Sequence, residues 1–96
     1  MSYSDYRLNA QVRVLLVRRG IDLVRLEHGV TNSVVYIRGS VRSCLFRQSD
    51  DPSRARLEQI DEVTRLERAL RSLPGVKDVV MHLNRMTKVG RRWKNQ

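Results

Sequence analysis

Little in this chain belongs to the usual apparatus of catalysis, disulfide scaffolds or membrane insertion. Cysteine occurs once, at Cys44, which excludes an internal disulfide and suits a reducing compartment. No apolar run approaches the roughly 20 residues needed to cross a bilayer. The polar stretch Met1 to Leu8 and the short, arginine-interrupted run at Val14 to Val17 do not form a signal-peptide core. The expectation is a cytoplasmic protein, at most peripheral to a membrane. Histidine occurs twice, as His28 and His82, and neither Cys-x-x-Cys nor His-Glu-x-x-His spacing is present. The five glycines are isolated, so there is no glycine-rich phosphate loop, no Gly-x-Ser-x-Gly elbow and no Gly-x-x-Gly clamp. A Cys44–His82 pair on one side of a sheet would still need a base and a third, orienting group. The reading is therefore a non-enzymatic protein with no catalytic residue, no metal site and no cofactor.

Acidic side chains are also in short supply. Nineteen Lys and Arg face ten Asp and Glu, for a formal charge of +9. The excess is uneven: residues 1–20 carry about +3 and residues 76–96 about +5 at ordinary pKa values, while the middle is nearly balanced. Such a chain attracts polyanions: nucleic acid, an acidic protein or an anionic membrane surface. Its 96 residues, 41% of them hydrophobic, suffice for one domain with one modest core.

The centre of the pattern is Val34-Val35-Tyr36-Ile37-Arg38-Gly39-Ser40-Val41. Its β-branched and aromatic residues alternate with polar ones, as in a half-buried strand. Val35 and Ile37 should face the core, Val34 and Tyr36 the other side. Gly39 marks a bulge or a close backbone approach. Before it, residues 4–19 read as a helix, capped by Ser4 or Asp5 and stopped at Gly20. Leu8, Val12, Leu15 and Leu16 form its buried stripe. Residues 21–28 read as a first strand, and residues 28–33 as a turn longer than two residues, completing an antiparallel hairpin. Residues 42–50 are ambiguous: strand two can continue to Phe46 beyond the Gly39 kink, and the rest reads as loop. Asp51-Pro52 starts a second helix, which runs to about Ser72 with Ile60, Val63, Leu66, Leu70 and Leu73 inward. Glu58, Asp61, Glu62, Arg65 and Arg68 form its wet face. Pro74-Gly75 ends it, and Val76 to Leu83 supplies a third strand joined by a right-handed crossover. Residues 85–96 read as a basic C-terminal tail without periodicity, following a single domain over residues 1–84.

Two stretches carry a resemblance. Ile37-Arg38-Gly39-Ser40-Val41 is similar to the strand signature of the BON domain family, hydrophobic-x-Gly-x-Val. Leu70-Arg71-Ser72-Leu73-Pro74-Gly75-Val76-Lys77-Asp78-Val79-Val80 is similar to that family's second signature, a helix ending in Gly-Val before a strand with paired valines. The resemblance spans about residues 8–84. It implies an α+β fold: an αββαβ two-layer sandwich, with a small mixed three-stranded sheet packed against two helices. It also implies a bacterial binding module that docks on phospholipid headgroups or mediates protein–protein assembly, without enzymatic activity. The missing export signal, the segment at residues 43–52 and the basic tail depart from the family pattern.

Two sets of residues are candidates for binding. Tyr3, Tyr6, Ala10, Val14 and Val17 form a second apolar stripe on helix one, flanked by Arg7, Arg13 and Arg18. A helix apolar on two sides offers one of them to a partner. In the tail, Arg85, Lys88, Arg91, Arg92 and Lys94 would meet anions, with Trp93 stacking on a base or sitting at a membrane interface. The contact set is thus Tyr3, Tyr6, Val14, Val17 and Trp93. The partner is an anionic membrane surface or an acidic protein. The alternative is a structural subunit, pairing with a second copy or joining a larger assembly, whose tail holds RNA or DNA without sequence preference.

Overall fold

The computed structural model describes residues 3–41 and 51–95. Helix α1 (Tyr3–Arg18) is followed by strands β1 (Leu26–Thr31) and β2 (Val34–Gly39), helix α2 (Pro52–Arg71) and strands β3 (Asp78–Leu83), β4 (Met86–Val89) and β5 (Arg92–Asn95). β2 is the central strand, antiparallel to β1 and parallel to β3. This is the expected α+β arrangement: a mixed three-stranded sheet with two helices against it.

Alternation along the strands decides which face is covered. Leu26 and Val30 of β1, Val35 and Ile37 of β2, and Val79 and Leu83 of β3 are buried. They meet Leu8, Val12 and Leu16 of α1 and Val63, Leu66 and Leu70 of α2 in one core. The opposite face carries Tyr36, Arg38 and His82 and is open. α2 starts as its sequence dictates. Asp51 holds extended backbone and its carboxylate accepts from the Ser53 N–H at 3.0 Å, satisfying a donor that the first helical turn would otherwise leave unpaired.

Gly39 proves to be a close approach. Its φ is +122°, and a Cβ there would overlap the Arg25 carbonyl oxygen, which accepts from the Ser40 N–H at 2.9 Å. The Gly39 carbonyl in turn accepts from the Asn84 N–H at 2.8 Å. Only glycine combines that backbone angle with that contact.

The first hairpin corrects two expectations. β1 begins at Leu26 rather than at residue 21, because residues 22–25 turn, leaving Val24 fully outward. The connection is a two-residue turn, Asn32-Ser33, with φ of 51° and 65°, the left-handed pair that matches the twist of the flanking strands. Asn32 tolerates the left-handed region by itself, and Asp5 ties down the turn in which Ser33 also adopts it. Asp5 does not cap α1, since the helix already includes Tyr3 and Ser4. Its buried carboxylate accepts from the Asn32 N–H at 3.0 Å and the Ser33 N–H at 2.9 Å.

The segment expected as a tail is folded. β4 and β5 form an antiparallel hairpin with Lys88 opposite Trp93 and Thr87 opposite Lys94. Met86 and Trp93 belong to the core, and Trp93 is only 4% exposed. The expectation of Trp93 as a membrane or base contact is therefore corrected: its indole fills the space beside α2 and the end of the sheet. β3 begins at Asp78, two residues later than expected. Residues 42–50, and with them Cys44 and the proposed continuation of strand two, lie outside the described residues.

Candidate functional site

At about 100° per residue, Tyr3, Tyr6, Ala10, Val14 and Val17 fall within an arc of roughly 80° on α1. Arg13 borders the arc on one side, and Arg7 and Arg18 on the other. The arc lies opposite Leu8, Val12 and Leu16, so burying one set exposes the other. Tyr3 is 80% exposed, Tyr6 68%, Val17 56% and Val14 49%. Arg7, Arg13 and Arg18 are exposed as well. The helix has one carboxylate, that of Asp5, and it is turned inward to the β1–β2 turn. No ion pair among the described residues engages Arg7, Arg13 or Arg18. The outer face of α1 thus combines apolar side chains with cationic borders.

On its Arg7–Arg18 side this face runs into an open groove of about 690 Å³ between the two helices. Ala10, Val14 and Leu15 form one wall, and Ala69 of α2 with Leu73 just beyond its end the other. The α2 wall had no sequence signal of its own, because Ala69 is short and Leu73 already belonged to the buried stripe.

The basic residues of the hairpin separate into two groups. Lys88 points inward: its ammonium donates to both carboxylate oxygens of Glu67 at 2.8 and 2.9 Å, and Glu67 is only 13% exposed. The expectation of Lys88 as an anion-binding residue is corrected accordingly, since its charge is already matched. Arg85, Arg91, Arg92 and Lys94 are exposed. α1 packs on β1, whereas the hairpin packs on α2 beside β3, and β1 and β3 are opposite edges of the sheet. The α1 arginines and the hairpin cations therefore form two separate surfaces rather than one.

The histidines serve different surroundings. His28 Nδ1 lies 2.9 Å from Asn9 Oδ1, joining β1 to α1. Burial, and then the Arg13 charge, hold its pKa below the ordinary value. His82 is exposed on the open sheet face, paired in register with Arg38. Asp78 has its pKa lowered, chiefly by the Arg71 guanidinium, which donates to it at 2.8 Å, and by the Val79 N–H. Among the described residues no group of three or more His, Cys, Asp or Glu is placed to hold a metal ion, and no helix is long and apolar enough to cross a membrane. No protein-family model matches the chain, and no curated protein is similar to it in sequence.

Proposed function

We propose that this protein is a non-enzymatic binding module that docks on an anionic membrane surface through the outer face of α1. The observation that carries this reading is the exposed stripe of Tyr3, Tyr6, Val14 and Val17 between Arg13 on one border and Arg7 and Arg18 on the other. Amphipathic rings suit the headgroup level of a bilayer, valines reach the acyl boundary, and guanidiniums pair with phosphates. Each cation near an anionic leaflet contributes about 1 kcal/mol. The resemblance to BON domains supports the same reading: α1, β1, β2, α2 and β3 follow the order it implies, and the β4–β5 hairpin comes in addition. The module sits at the membrane as a peripheral protein.

Sedimentation with vesicles of phosphatidylglycerol or of phosphatidylcholine tests the proposal. Binding should favour the anionic vesicles and weaken with salt. Val14→Asp should abolish most of it while leaving the fold intact, because Val14 is half exposed and outside the core. Equal binding to both vesicles would overturn the reading. A Val14→Asp variant that binds as before, or one that only changes the oligomeric state, would hand the stripe to a surface or assembly role.

A further inference from the structure

The β4–β5 hairpin carries a second surface with a different chemistry. Its register divides its side chains cleanly. Met86, Lys88 and Trp93 face the body of the protein, and Lys88 is matched by Glu67. Thr87, Val89, Arg92 and Lys94 face outward, because alternate residues of a strand point to opposite faces. Arg91 sits in the Gly90-Arg91 turn and Arg85 in the Asn84-Arg85 turn, where φ is +61°. Residues 84–96 contain no Asp or Glu. No ion pair among the described residues engages Arg85, Arg91, Arg92 or Lys94. The hairpin is anchored by a buried indole, so these four cations stand on a fixed ribbon.

What the ribbon lacks selects its partner. Its only aromatic, Trp93, is buried, so it offers bases no stacking platform of the kind that single strands require. Val89 is its only exposed large apolar residue, too little to seat a membrane contact. Charge without stacking and without insertion fits the phosphate backbone of a duplex, which is bound by neutralisation and counterion release and needs no base contact. We propose that the outward face of β4–β5 binds duplex nucleic acid along its backbone, without sequence preference.

Fluorescence anisotropy with a labelled DNA duplex of about 20 base pairs, titrated over a range of salt, tests this. Two variants of the full chain are compared with wild type: Arg92→Gln with Lys94→Gln, and Arg7→Gln with Arg18→Gln. All four positions are exposed, and circular dichroism confirms that both variants fold. The hairpin variant should lower the slope of log affinity against log salt by about 1.8, two contacts at about 0.9 each. The α1 variant should leave the slope near its wild-type value, and a scrambled duplex should bind equally. An unchanged slope in the hairpin variant, an equal loss in the α1 variant, tighter binding of a single strand, or no binding at low salt would each overturn the proposal.

Discussion

Asp5 does more for the fold than its place in the sequence suggests. A carboxylate in the first turn of a helix invites a capping role, yet this one reaches 27 and 28 residues along the chain to hold two backbone N–H groups. Those hydrogen bonds are charge-assisted and part-buried. Asp5→Ala would leave both donors without that acceptor and the left-handed Asn32-Ser33 turn unsupported, at a cost of about 2–4 kcal/mol. Urea denaturation measures it; a loss under about 0.5 kcal/mol, the range of an ordinary surface substitution, would contradict the assigned role. His28 makes a pH prediction at the same scale. Its folded pKa is depressed, so below the unfolded value near 6.5 the unfolded chain holds more protons at this site than the folded one. Stability should be full above that value and fall as pH drops through it toward the depressed folded pKa. Asp78 stays ionised across this window, since its own pKa is lowered from 3.8. Thermal melts between pH 8 and 5 should show the decline, and His28→Gln should flatten it. A wild-type profile already flat over that window would show the shift to be absent, and stability rising toward acid would show its sign to be wrong.

Among the elements, α2 and the central strand β2 were legible because their signals are local. Asp51-Pro52 is a cap and a first-turn proline, the stripe Val63, Leu66, Leu70 has helical spacing, and Val35 and Ile37 alternate. The β4–β5 hairpin was not legible, for a physical reason. Met86 and Val89 lie on opposite faces of β4, and the inward position between them is filled by Lys88. An inward lysine erases the two-residue period, and its justification, Glu67, lies 21 residues away on a helix. Trp93 is likewise flanked by basic residues, and only the tertiary structure reveals that it, and not Arg92 or Lys94, turns inward. Glu62 shows the same limit: its spacing places it on the wet face of α2, yet it is half-buried with one carboxylate oxygen enclosed. The consequence for Trp93 is testable. Trp93→Ala should cost about 3–5 kcal/mol, a large part of the stability of a domain this size. Denaturant unfolding should show the midpoint fall steeply; a midpoint close to wild type would mean that the hairpin is dispensable. Deleting residues 85–96 would therefore damage the core as well as remove charge, which is why point substitutions are the proper probe of the hairpin.

Across the whole molecule, the uneven charge becomes two separate surfaces, for which we propose different partners. On α1, Tyr3, Tyr6, Val14 and Val17 are exposed with Arg7, Arg13 and Arg18 beside them. The hairpin candidates are thinned, losing Lys88 to Glu67 and Trp93 to the core. The chain could announce its charge, but the division between faces depends on which edge of the sheet each element packs against. That division makes the account directly measurable. With Cys44 replaced by Ser, an environment-sensitive fluorophore is placed at Val14→Cys, or in a second protein at Lys94→Cys, and anionic vesicles are added. The probe on α1 should shift to the emission of an apolar setting while the probe on the hairpin does not. Vesicle binding with a silent α1 probe, or with the response at the hairpin instead, would contradict the claim that the outer face of α1 is the membrane-docking surface.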